Sequence, residues 1–181
     1  MMSEGLGPGH PPPPRVTAPQ RLNPQHDVSG FENGRHPALD QWLRERALTS
    51  EGLSARTYVT CAADVGRVVG YYAVATAMEQ RVVLPNAKLR RGMPEQVPFL
   101  LLARLAVDRS FQGMGLGVYL LSDALRRCFL ASEIAGARGV IAHAIDEDAV
   151  HFYLRHGFVL SPLGNRVMLM PIEAVRALFQ D

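Results

Sequence analysis

Apolar positions recur along this chain in distinct rhythms, and each rhythm predicts a kind of element. Pro37, Leu39, Trp42, Leu43 and Leu48 fall near helical spacing, which predicts an amphipathic helix over residues 37–48 with proline near its start. Residues 57–63 read as a strand, Gly66 as a turn, and residues 68–76 as a second strand that residues 78–83 extend, an antiparallel hairpin pattern. Residues 99–107 form a continuous apolar run broken only by Arg104, as expected for a central strand covered on both faces. Val118, Leu121, Leu125 and Cys128 then follow a 3-4-3 spacing, which predicts a long helix to about Ala135 with Gly136 beyond its end.

The remainder alternates. Residues 140–144 predict a short strand, residues 147–156 a helix closed by Gly157, residues 158–160 and 167–170 the last strands, and Ile172 the start of a short terminal helix. Between Leu84 and Pro98 lies an irregular, proline-punctuated piece carrying Lys88, Arg90 and Arg91 against Glu95 alone. No internal repeat is visible.

Composition changes this picture at the amino end. Residues 1–26 hold Pro11 to Pro14 and almost no large apolar side chains, so they are expected to form a disordered extension, followed by one domain over residues 27–181. At 48% hydrophobic and 20% charged residues the chain has the composition of an ordinary soluble protein, with no run long enough to span a bilayer and no leader pattern. A cytosolic location is expected. Cys61 and Cys128 lack CxxC spacing, and His143 and His151 lack the spacing zinc needs, so neither a disulfide nor a metal site is expected. A net charge of +2 excludes a nucleic-acid reading based on bulk charge, which leaves local clusters to carry one.

The chemistry gathers after the central strand. Gln112, Gly115 and Gly117 give Q-x-x-G-x-G, and with Gly113 they open the long helix, where N–H groups lack partners and the macrodipole favours anions. Nucleotide, phosphate and plain turn all stay open on that spacing alone. Arg104, inside an apolar strand, needs a partner: a carboxylate of this chain, an RNA 3′ end or a coenzyme phosphate.

The apolar strand leading into Q-x-x-G-x-G, together with AVHFYLRHGF at Ala149 to Phe158, resembles the GNAT superfamily of acetyl-CoA dependent N-acetyltransferases. FENGRHPALDQWL from Phe31, VVGYYAVA from Val68, LRRGMPEQVP from Leu89 and LLARLAVD from Leu101 are similar to the aminoacyl-tRNA acetylating toxins of bacterial type II toxin–antitoxin systems. That resemblance implies an α/β (α+β) GNAT fold, a mixed, mostly antiparallel sheet flanked by helices. It implies main-chain contact of Leu105, Ala106 and Val107 with the pantetheine arm of acetyl-CoA, and a pyrophosphate cradle of Gln112, Gly113, Met114, Gly115, Leu116, Gly117 and Val118. Tyr153 is implied as the acid that protonates the coenzyme thiolate. Lys88, Arg90, Arg91 and Arg104 are the candidates for RNA contact. Asp146 stands where many superfamily members carry asparagine.

The same resemblance implies a ribbon-helix-helix antitoxin, operator DNA contacted only through that antitoxin, and a homodimer in the bacterial cytoplasm. Two other activities use the same motifs: acetylation of a small amine or protein amino terminus, and a non-catalytic coenzyme-binding or repressor subunit.

Overall fold

A computed structural model of the chain describes residues 15–64 and 66–180. The tract Pro11 to Pro14 lies outside the described residues. Seven strands form one sheet in the order β1-β2-β3-β4-β5-β7-β6. These are β1 (Gln20–Arg21), β2 (Arg56–Cys61), β3 (Val68–Gln80), β4 (Gln96–Val107), β5 (Gly139–His143), β6 (Val159–Leu160) and β7 (Val167–Pro171). The helices are α1 (Pro37–Glu45), α2 (Ala47–Ser50), α3 (Ala87–Arg90), α4 (Leu116–Ile134), α5 (Glu147–Arg155) and α6 (Ile172–Ala177). Pairing is antiparallel for β1 with β2, β2 with β3, β5 with β7 and β6 with β7, and parallel for β4 with β5, the two strands that α4 connects. The expected mixed, mostly antiparallel α/β architecture is the observed one.

The chain divides into two compact units, and β3, β4 and α4 each pass from one to the other. The first unit takes residues 15–75 and Ala103–Ala124. Its core gathers Phe31, Leu43, Val59, Tyr71 and Ala106, with Leu39 and Trp42 packed against them. Residues 15–26, expected as the end of a disordered extension, are ordered here. Gln20 pairs with Val59 and Arg21 with Tyr58, Val16 bridges Ala62, and Leu22 is buried, so this segment covers the outer edge of β2. The helix expected over residues 37–48 is two pieces broken at Arg46. Gly70 of β3 lies so close under α4 that a Cβ there would sit 2.9 Å from Leu120 and 3.0 Å from Thr60.

The second unit takes Thr76–Leu102 and residues 125–180. Its core joins Val83, Leu84, Val97, Phe99, Ile141 and Leu169. The proline-punctuated piece contains an unexpected helical turn, α3, capped by the Asn86 side chain, which accepts from the Leu89 N–H at 3.0 Å. Arg138 fastens this turn, donating from Nε to the Leu89 carbonyl at 3.2 Å while its terminal nitrogen bonds both Glu173 oxygens at 3.0 and 2.8 Å. Among the described residues no helix is long and apolar enough to cross a membrane.

Candidate active site

The site begins where β4 leaves the sheet. The Asp108 N–H bonds the Val69 carbonyl of β3 at 2.8 Å, so by strand alternation the backbone groups of Leu105 and Val107 point to the opposite edge. On that edge β5 pairs with Leu100, Leu101 and Leu102 and, among the described residues, no further along β4. Leu105 therefore offers a main-chain donor and acceptor to an extended ligand, and Val107 an N–H beside a carbonyl that a side chain shares, the pairing mode by which peptides and peptide-like arms add to a sheet.

Asp108 anchors the turn that follows. Its buried carboxylate accepts from Ser110 N at 3.0 Å, Ser110 Oγ at 2.6 Å, Glu32 N at 3.1 Å and Arg67 at 3.3 Å. Burial alone would raise its pKa; the hydrogen bonds from Ser110 and Glu32 and the charge of Arg67 outweigh that and hold it below the usual carboxylate value. The loop Phe31 to His36 closes over the same turn: Arg109 N bonds Glu32 O at 2.9 Å, and Gly34, at φ +83°, lies against the Arg109 side chain. Asn33 organises that loop from within. It is buried, donates to Asp40 and to the His36 carbonyl, and accepts from the Arg35 and His36 amides.

Gln112 joins these parts, donating from Nε2 to the carbonyls of Asn33 at 2.8 Å and Val107 at 2.9 Å. Gly113 and Gly115 then adopt φ of +77° and +81°, which side chains with a Cβ rarely reach, and no atom lies within 4 Å of where a Cβ would stand on either. In the described residues no backbone bond takes up the N–H groups of Gly113, Met114, Gly115, Leu116, Gly117 or Val118. This is an open row of donors at the start of a 19-residue helix, a cradle that suits a diphosphate.

Arg104 lies on the α1 side of β4, its guanidinium carbon 4.2 Å from the centre of the Trp42 ring. The carboxylate partner considered from sequence is absent: among the described residues no acid forms an ion pair with Arg104. The ring face supplies about 1–2 kcal/mol towards a half-buried cation, and solvent reaches the rest.

The second unit carries Tyr153 on α5. This helix is capped by Asp146, whose carboxylate accepts from the Ala149 N–H at 2.8 Å. Tyr153 is 6% exposed and packs on Phe152 and Phe158 with ring centroids 5.4 and 5.0 Å apart. Its hydroxyl has no hydrogen-bond partner among the described residues, and burial pushes the phenol pKa well above its ordinary value. It therefore stays a proton donor throughout the neutral range. Of the basic patch in this unit, Lys88 and Arg91 are exposed, whereas Arg90 is half-buried with Nε bonded to the Leu84 carbonyl at 2.9 Å.

A β4 edge that β5 leaves at Leu105 and Val107 runs here into a glycine-turned helix start. Residues 54–160 match the model of the acetyltransferase (GNAT) domain, and the chain belongs to that family and is an acetyltransferase. A tRNA-acetylating toxin from Mycobacterium tuberculosis is 41% identical over 166 residues, 91% of this chain and 98% of that protein. A tyrosine-to-phenylalanine mutant of KacT superposes with a TM-score of 0.84 at 29% identity, over 91% of this chain and 99% of that one. AtaT complexed with acetyl-methionyl-tRNAfMet gives 0.82 at 27% identity, covering 90% and 98%. A mutant AtaT bound to acetyl-CoA and the C-terminus of the antitoxin AtaR gives 0.75 at 25% identity, covering 91% and 98%.

The structure places Leu105 and Val107 on a β4 edge, Gly113 and Gly115 in a turn with positive φ, and Tyr153 buried on α5. The pattern of the sequence did not point to Asn33 and Asp108 as the parts that hold the turn, nor to Trp42 as the ring beneath Arg104. The motif FENGRHP carried the signal for Asn33, since asparagine before glycine in a loop is a backbone-bonding position.

Proposed function

We propose that this protein transfers the acetyl group of acetyl-CoA to the α-amine of an aminoacyl-tRNA, stops translation by doing so, and is neutralised by a cognate antitoxin. The observation that carries the reading is the open row of N–H groups from Gly113 to Val118 beside the β4 edge at Leu105 and Val107 that no described strand pairs. Acetyl-CoA supplies an activated thioester. The chain holds its diphosphate at the glycine turn and its pantetheine arm along Leu105, Ala106 and Val107, while the Gln112 side chain keeps cradle and strand end in register.

An aminoacyl ester amine titrates near or below about 8, so a useful fraction is neutral at cellular pH and a strong general base is dispensable. The departing thiolate needs a proton, and Tyr153, kept protonated by burial, supplies it from a hydroxyl with no competing partner. Lys88 and Arg91 contact the RNA backbone, with Arg90 partly given over to holding α3. The antitoxin is a ribbon-helix-helix protein through which operator DNA is bound, and the enzyme acts as a homodimer in the bacterial cytoplasm.

Purified protein incubated with labelled acetyl-CoA and total charged tRNA tests the reading. Label is expected on the aminoacyl group; label that never leaves the coenzyme, or that appears only on small amines, overturns it.

A further inference from the structure

Arg104 is held in an unusual way for a strand residue. Its guanidinium carbon lies 4.2 Å from the centre of the Trp42 ring, and Trp42 stacks in turn on Tyr71, with ring centroids 6.0 Å apart and planes 14° apart. Such backing holds the cation in place on one side without using its N–H donors. Among the described residues its N–H groups bond neither a carboxylate nor another acceptor, and Asp40, an acid buried in α1, is engaged by Asn33 at 3.0 and 2.6 Å. A half-buried guanidinium with free donors is a receptor for an anionic oxygen.

The faces of the sheet decide which anion. Gly70 lies beneath Leu116 and Leu120 of α4, whereas Tyr71 meets Phe31 and Trp42 on the other side. The glycine turn therefore opens its helix on one face and Arg104 projects from the opposite one, so the coenzyme diphosphate and Arg104 do not meet. Position along β4 supplies the rest. A coenzyme arm anchored at the glycine turn runs back past Val107 and then Leu105, which brings its thioester end to the level of Arg104. The acceptor must arrive there too.

We infer that Arg104, backed by Trp42, receives the phosphate on the 5′ side of the terminal, aminoacyl-bearing adenosine. This rests on the acetyl-transfer reading above. It makes the enzyme a reader of the phosphate nearest the reacting amine, in addition to any contact along the RNA body.

Trp42 is the sole tryptophan of the chain and lies against the proposed site, so its fluorescence reports binding directly. With coenzyme A saturating, the full-length protein is titrated with adenosine 5′-monophosphate and with adenosine. The monophosphate is expected to bind about tenfold or more tightly, a preference that disappears in Arg104→Gln and partly returns in Arg104→Lys. In parallel, charged tRNA is digested to aminoacyl-adenosine or to its 5′-phosphorylated form, and the two are compared as acceptors. The ratio of their KM values, about ten or more in the parent, should fall towards one in Arg104→Gln while the KM for acetyl-CoA stays within twofold. Coincident curves for the two nucleosides in the parent, an unaltered ratio in the variant, or a raised KM for acetyl-CoA each overturn the assignment. Should Arg104→Gln fail to fold by circular dichroism, the parent comparison and Arg104→Lys still decide. Failure of the parent to acetylate charged tRNA overturns the functional reading and this inference together, whereas turnover without phosphate preference overturns this inference alone.

Discussion

The side chain of Gln112 donates a 2.8 Å hydrogen bond to the main-chain carbonyl of Asn33, 79 positions earlier in the chain. Through that bond the loop ahead of α1 and the turn ahead of α4 become one piece, and the second bond of Gln112, to Val107, attaches the piece to the end of β4. The glycine turn proposed to cradle the coenzyme is thus held by side chains that need not touch the ligand.

Gln112→Ala removes both bonds. Each neutral bond contributes about 1 kcal/mol net, and their loss frees the turn, so we expect the affinity for acetyl-CoA to fall by about tenfold with a smaller change in kcat. Isothermal titration with acetyl-CoA, set beside steady-state rates, measures this. An equal fall in both parameters would place Gln112 in the chemical step instead.

Asp108 makes the same turn sensitive to acid. Its pKa is depressed in the folded chain, so the carboxylate contributes stability above its unfolded value of about 3.9, and that contribution disappears as the pH falls through the lower folded value. Asp108→Asn should destabilise the protein by about 1.5–3 kcal/mol at neutral pH. The gap between variant and parent in urea melts should narrow below about pH 4. A gap independent of pH would show that the charge is unimportant.

Tyr153→Phe preserves the ring contacts with Phe152 and Phe158 and removes a hydroxyl that no described residue engages. Stability should change by less than about 0.5 kcal/mol, as for a substitution that breaks no packing or network. The chemical step should slow about 100-fold or more, as for loss of a general acid, with KM for acetyl-CoA retained. Single-turnover acetyl transfer and a thermal melt separate the two effects.

Charge reversal at Lys88 and Arg91 should raise the KM for charged tRNA and flatten its dependence on salt, by about one unit of log–log slope for each phosphate that is no longer neutralised. The KM for acetyl-CoA should not move. Arg138→Met gives a milder version of the same phenotype, because it releases the Leu89 carbonyl and loosens α3 while Lys88 and Arg91 keep their charges.

How much of this was legible from the residues varies with range. Elements built on long periodic runs, such as α4 and β4, were placed from their spacing within a few residues, because amphipathic repetition is a property of the segment itself. β1 and α3 were not, since two paired residues and a single capped turn carry no period; β1 exists because β2 has an edge to cover, and α3 because Asn86 and Arg138 hold its ends. At the site, the glycine turn and Tyr153 sit in local motifs and were visible. Trp42 beneath Arg104 and Asn33 bonded by Gln112 lie 62 and 79 positions away and meet them only when the chain folds.

The Val107 carbonyl has one further consequence. Because Gln112 already occupies it, a coenzyme arm laid along β4 finds Leu105 with both backbone groups open but meets a shared acceptor at Val107. With the coenzyme placed as proposed, Gln112 acts as an end stop. It would set how far along the strand the arm can slide, and so the depth at which the thioester is presented: analogues with a lengthened or shortened arm should bind yet transfer poorly.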